Sequence, residues 1–140
     1  MSAARRPPVR VLFVCVENSS RSQMAEGFAR KLGAGVLEPW SAGSRPSGKI
    51  NETAIRAMKE RDIELIAHSS KGFDVLPELP WDFVVTMGCG DQCPYVPSVE
   101  TIDWNIPDPK TMPLDEFRRV RDLIEAQVSG LIRRVSERPT

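Results

Sequence analysis

Cys15 and Arg21 enclose the segment Cys15-Val16-Glu17-Asn18-Ser19-Ser20-Arg21, and Ser22 follows directly. A cysteine acts as a nucleophile through its thiolate, and an arginine offers a planar pair of donors that fits a tetrahedral oxyanion. A short loop of small polar residues that runs from a strand into a helix turns successive backbone N–H groups inward. The helix adds the positive end of its dipole. The spacing therefore predicts an oxyanion cradle over Val16, Glu17, Asn18, Ser19, Ser20 and Arg21, with Cys15 at its floor. The same donors favour thiolate over thiol. Asn18 is a residue type that tolerates a left-handed backbone in such a loop, and Ser22 offers its hydroxyl to the sulfur.

The chain has three cysteines, and the other two, Cys89 and Cys93, lie far from Cys15 in sequence with three residues between them. An odd number, in a chain with no recognisable signal peptide, points to a transient, catalytic disulfide rather than a structural framework. Helical spacing would set the Cβ atoms of Cys89 and Cys93 roughly 5–6 Å apart. A disulfide needs about 3.5–4.5 Å, so the segment would have to distort to close one. Together with His68 they are too few for a closed zinc site unless Cys15 joins them. Neither a bound metal nor a bound cofactor is expected, and His68 reads as a capping or packing residue.

The elements that must position these groups follow from patterning. At 140 residues the chain is one domain, long enough for a proper core. Residues 1–8 read as a flexible arm and 9–140 as the domain. Its 19 basic and 19 acidic residues balance, which argues against a field built for nucleic acid or a membrane surface. The longest apolar stretch, Val11 to Val16, is far shorter than the ~20 residues of a membrane span, and a cytoplasmic location is expected. Val9 to Val16 reads as a buried parallel strand. Ser22 to Leu32 has helical apolar spacing and ends at Gly33. Further strands are predicted over Val36–Ala42, Phe83–Met87 and Thr101–Trp104, with a short extended stretch over Ile63–Ala67. Asn51 to Arg61 reads as a helix capped by Asn51, and Leu114 to Val135 as a long amphipathic helix. Alternating strands and helices give an α/β class: a four-stranded parallel sheet flanked by helices on both sides. Trp40, Trp81 and Trp104 read as core or loop anchors. Asp91 and Asp103 read as solvated loop charges, and Arg118, Arg119 and Arg121 as a solvated helix face. In such sheets ligands bind beyond the carboxyl ends of the strands, which is where Cys15 falls and where Cys89 follows.

The stretch V-L-F-V-C-V-E-N-S-S-R-S-Q-M-A-E-G-F resembles the signature loop of the low-molecular-weight protein tyrosine phosphatase fold. S-Q-M-A-E-G, W-S-A-G, T-A-I-R-A-M-K-E and V-V-T-M-G-C-G-D-Q-C-P resemble the bacterial thioredoxin-coupled arsenate reductases, over about Val9 to Val135. The resemblance implies an enzyme that reduces arsenate, with phosphate as a competing anion; a monomer is expected. Cys15 would attack arsenate held by Arg21 and the loop amides, and Asp108, before Pro109, would be the general acid. Cys89 would then attack Cys15, and Cys93 would take over Cys89, leaving a disulfide for reduced thioredoxin. Some members of the family hold potassium under the loop with Asn, Glu, Ser and Asp. Asn18, Glu26 and Ser41 match, and Lys71 stands in the fourth place, where its ammonium could replace the ion.

Three alternatives stand beside this expectation. A low-molecular-weight phosphatase would share Cys15, Arg21 and Asp108 but has no use for Cys89 and Cys93; its aromatic residue after the Asp-Pro pair is here Lys110. An arsenate reductase of this kind could instead draw electrons from a small thiol such as glutathione or mycothiol. A non-catalytic oxyanion sensor would work as well with a serine in place of Cys15. Weak phosphatase activity is expected even of the reductase.

Overall fold

The computed structural model describes residues 7–88 and 95–137. Cys89, Asp91 and Cys93 therefore lie outside the described residues, as do the first six positions of the expected arm. Four strands, β1 (Val9–Cys15), β2 (Leu37–Gly43), β3 (Trp81–Thr86) and β4 (Ser98–Asp103), form one parallel sheet in the order β2-β1-β3-β4. Three helices connect or follow them: α1 (Arg21–Leu32), α2 (Glu52–Lys59) and α3 (Leu114–Ser136). The expected α/β class and four-stranded parallel sheet are observed, with element ends shifted by at most three residues. The Ile63–Ala67 stretch, expected as short and extended, runs as coil and turn outside the sheet, and Ile63 and Leu65 are buried as plugs against α1.

The central position of β1 follows from its composition. Val11 to Cys15 is continuously apolar, and all five side chains are buried, as a strand covered on both faces requires. Its residues alternate between two clusters. Val11, Phe13 and Cys15 face the apolar cluster to which α1, α2 and α3 all contribute, through Met24, Phe28, Met58, Phe117, Ile124 and others. Leu12 and Val14 face the other side, where Val84, Ala42 and Trp81 meet Trp40, Phe73 and Leu76. Helices on both sides were expected. Among the described residues the three α-helices share one cluster, and the opposite face is covered by a 3₁₀ turn (Phe73–Val75), its flanking loop and two tryptophans. Pro77 and Pro80 close that loop and exclude a longer helix there.

The tryptophans anchor as expected: Trp40 packs edge-on against Trp81 with ring centroids 6.2 Å apart, and Trp104 lies 5.7 Å from Phe13. Arg121 departs from the solvated face predicted for it. It is 3% exposed, donates to the Ala57 carbonyl at 2.9 Å and pairs with Glu60 at 2.7 Å, so it ties α3 to α2. Arg118 pairs with the same Glu60 carboxylate at 2.7 Å. The helical period places Arg118 and Arg121 three apart on one side of α3, and α2 arrives on that side. Among the described residues no helix is long and apolar enough to cross a membrane.

Candidate active site at the end of the central strand

β1 ends at Cys15 and α1 begins at Arg21, so the five intervening residues form the turn between them. Its backbone is held from outside. The Cys15, Val16 and Glu17 carbonyls accept from the N–H groups of Ser44 (3.3 Å), Arg45 (2.8 Å) and Ser47 (3.1 Å). Ser70 Oγ also donates to the Glu17 carbonyl, Gln23 Nε2 to that of Asn18, and the Asn51 N–H to that of Ser19. With its carbonyls committed outward, the loop turns N–H groups to its concave side, the arrangement that binds an oxyanion. Asn18 makes the reversal with φ +51°, the left-handed conformation its residue type predicted.

Gly43 makes room for this loop. A Cβ there would stand 2.5 Å from the Val16 carbonyl and 2.9 Å from the Asn18 nitrogen, so the end of β2 approaches the loop backbone more closely than any side chain permits. α1 opens on Ser20 with no side-chain cap and no acidic residue in its first turn, so its positive end is left for an anion.

The sulfur of Cys15 is buried and meets two donors. The Asn18 N–H lies 3.3 Å from it and Ser22 Oγ 2.9 Å. The hydroxyl's direction is fixed by a chain of partners. The Lys71 N–H donates to Asn18 Oδ1 at 2.9 Å, and a backbone N–H can only donate. Asn18 Nδ2 is therefore the atom that donates to Ser22 Oγ at 2.7 Å, which leaves the serine proton for the sulfur. Gln23 Nε2 donates to Asn18 Oδ1 and to the Ser69 carbonyl, so Gln23 Oε1 faces His68 Nδ1 at 3.0 Å and accepts its proton. Burial holds the His68 pKa below the usual imidazole value, which favours the neutral ring, and the Gln23 acceptor places its proton on Nδ1. His68 was expected to be a packing residue; it is the outermost link of a side-chain chain, His68–Gln23–Asn18–Ser22, that ends on the sulfur.

Arg21 is 8% exposed and is positioned by two carbonyls, Met87 at 2.6 Å and Ile106 at 3.0 Å, both to Nη1. Its Nη2 stands 3.8 Å from Asp108 Oδ2. The structure thus brings Cys15, Arg21 and Ser22, the residues of the predicted cradle, together with Asp108, the residue implied by the resemblance, to one end of the sheet. Asp103 is not a free loop charge: its Oδ1 accepts from Thr86 Oγ1 at 2.7 Å and from the Gly88 N–H at 3.0 Å, fixing the residue before Cys89.

The second group of predicted residues also converges. Glu26 is 7% exposed and accepts from Ser41 and Arg30. Lys71 Nζ lies 3.3 Å from Ser41 Oγ, 3.4 Å from the Ser69 carbonyl and 3.8 Å from Glu26 Oε1. Gln23, Gly43, Ser70, Met87 and Ile106 carry no chemical signature in the sequence and are found only in three dimensions. Gln23 and Gly43 do fall inside the quoted motifs S-Q-M-A-E-G and W-S-A-G, which was the available signal.

Residues 10–139 match the family described as low molecular weight phosphotyrosine protein phosphatase. The chain belongs to that family. It is 38% identical over 130 residues to the glutaredoxin arsenate reductase of Synechocystis, covering 91% of this chain and 98% of that protein. A solved arsenate reductase in its phosphate-binding state superposes with a TM-score of 0.81 at 35% identity, covering 91% of this chain and 98% of that one. The thioredoxin-dependent arsenate reductase of Corynebacterium glutamicum gives a TM-score of 0.73 at 28% identity, covering 93% of this chain and 63% of that one.

Proposed function

We propose that this protein reduces arsenate to arsenite through a covalent adduct on Cys15. The observation that carries it is the Cys15 sulfur, which meets the Asn18 N–H and the Ser22 hydroxyl at the floor of a loop whose carbonyls are bonded outward. The names of the relatives add the substrate. Arsenate, or phosphate competing with it, would take the loop N–H groups and the free face of Arg21. The Cys15 thiolate attacks arsenic and one As–O bond breaks, with Asp108 giving the proton that lets the oxygen leave as water. The Cys89 thiolate then attacks the Cys15 sulfur. The S–As bond breaks with its electron pair staying on arsenic, so As(V) becomes As(III) and a Cys15–Cys89 disulfide remains. Cys93 displaces Cys15 from Cys89, and a dithiol such as reduced thioredoxin reduces the Cys89–Cys93 disulfide.

Thioredoxin is the favoured reductant because three cysteines suffice to present a disulfide to a protein dithiol. The glutaredoxin in the name of the Synechocystis relative keeps a glutathione-linked route as the second reading. Phosphate esters share the shape of the anion but have no two-electron path, so the same loop should support weak hydrolysis.

The test is arsenate turnover with thioredoxin, glutathione–glutaredoxin and mycothiol, on the wild type and on each Cys→Ser variant. Cys15→Ser should abolish every activity. Cys89→Ser should end arsenite production and spare slow p-nitrophenyl phosphate hydrolysis. Cys93→Ser should complete one turnover with thioredoxin and stall about two daltons lighter, the mass of the two hydrogens lost to the disulfide. Wild-type rates from Cys89→Ser with thioredoxin would overturn the relay.

A further inference from the structure

Lys110 has no place in the chemistry above, yet its side chain reaches the oxyanion loop. Its Nζ lies 2.7 Å from Glu17 Oε2, and its backbone N–H donates to Asp108 Oδ1 at 3.1 Å. The 106–110 segment therefore grips the oxyanion loop at both ends: at Arg21 through the Ile106 carbonyl and Asp108, and at Glu17 through Lys110.

Glu17 poses the electrostatic problem that this contact answers. It lies two residues beyond the nucleophile, in a loop whose N–H groups collect negative charge, and its carboxylate is only partly exposed. A bare carboxylate at that place repels an entering dianion over distances shorter than the screening length. The hydrogen bond that Lys110 donates to Glu17 holds the Lys110 pKa above that of a free lysine, which favours the charged ammonium.

We propose that Lys110 is a positioning residue for the anionic substrate: it neutralises Glu17 at the rim of the oxyanion loop, so that the site accepts multiply charged inorganic oxyanions. The proposal rests on the assignment of the 15–21 loop as an oxyanion site, and it does not depend on the cysteine relay.

The experiment is a double-mutant cycle read by calorimetric binding of inorganic phosphate to wild type, Lys110→Gln, Glu17→Gln, the double variant and Lys110→Arg. Lys110→Gln should weaken phosphate about three- to tenfold in low salt, and by much less near 1 M salt, where charge is screened. Adding Glu17→Gln to it should restore affinity to within about twofold of wild type, because the charge that needed neutralising is gone. Lys110→Arg should retain wild-type affinity. In arsenate turnover Lys110→Gln should raise KM and leave kcat nearly unchanged, the mark of lost uniform binding, which loosened packing alone does not produce. Unaltered phosphate affinity in Lys110→Gln, or a double variant no better than that single one, overturns the proposal and leaves the reductase assignment standing. A wild type that binds phosphate with the expected cycle but does not reduce arsenate overturns the reductase assignment instead. A wild type that binds no phosphate overturns both.

Discussion

At Lys71 a covalently attached cation stands beside Glu26 and Ser41, the two polar groups that, with Asn18, would hold an ion under the oxyanion loop. A carboxylate as buried as Glu26 needs a counter-charge, and Lys71 and Arg30 flank it. We propose that the ammonium takes the place of a bound potassium ion. Exchanging sodium for potassium at equal ionic strength should then leave wild-type rate and melting temperature unchanged, whereas Lys71→Asp should gain both when potassium is added. Strong potassium stimulation of the wild type would show that the lysine does not fill the site. Cys15, Arg21 and Ser22 were legible because they are contiguous and their residue types announce their chemistry. His68, Gln23 and Ser70 were not. A glutamine that locks an asparagine amide, which in turn orients a serine hydroxyl, is indistinguishable in sequence from a surface glutamine. Its role exists only once residues 68–71 are folded against the start of α1.

The elements were legible where one physical signal dominated and blurred where two competed. β1 is a run of buried β-branched residues, and α3 a long stripe of apolar residues at helical spacing; both were found within one residue of their observed ends. β4 alternates between partly buried and exposed positions at the sheet edge, and its first three residues were missed because Ser98, Val99 and Glu100 carry no apolar run. The Ile63–Ala67 stretch, expected as a short extended segment, pairs with no strand; its alternating burial of Ile63 and Leu65 packs a loop rather than a sheet. The Asn51 cap is a clean success: its Oδ1 accepts from the N–H groups of Thr53 (2.8 Å) and Ala54 (3.2 Å). Asn51→Ala should therefore destabilise the protein by about 1 kcal/mol in urea titration, and Asn51→Asp should restore most of it. Because the Asn51 N–H also holds the Ser19 carbonyl, loosening the first turn of α2 should weaken phosphate binding as well. An alanine variant with unchanged stability would mean that the cap is replaced by water without cost.

At the scale of the whole molecule, carboxylates join segments distant in sequence, among them Glu38 to Arg10 between β2 and β1, Glu60 to Arg118 and Arg121 between α2 and α3, and Glu100 to Arg134 between β4 and α3. Hydrogen bonds hold all three below the usual glutamate pKa: from Trp40 and then Arg10 for Glu38, from Arg118 and then Arg121 for Glu60, which falls to about 2, and from Arg134 for Glu100. A carboxyl depressed in the folded state contributes stability that is complete above its unfolded pKa of about 4.5 and is lost as the pH falls through the folded value. His68, also depressed by burial, contributes stability that is complete above about 6.5 and is lost below it. Stability should thus fall in two stages on acidification, the first removed by His68→Gln and the second reduced by Glu60→Gln and by salt. A profile flat between pH 7 and 5.5 would contradict the histidine stage. The strand order has a further consequence for biosynthesis. β1 is made before its second neighbour in the sheet, β3, and before the Ile106 carbonyl that steadies Arg21. Until they arrive, β1 is paired on the β2 side only and the Arg21 guanidinium lacks the carbonyls that position it. The donors to the Cys15 sulfur, Asn18 and Ser22, are made with the loop itself, but the oxyanion site is complete only after Met87 and Ile106 have been made and their carbonyls hold Arg21.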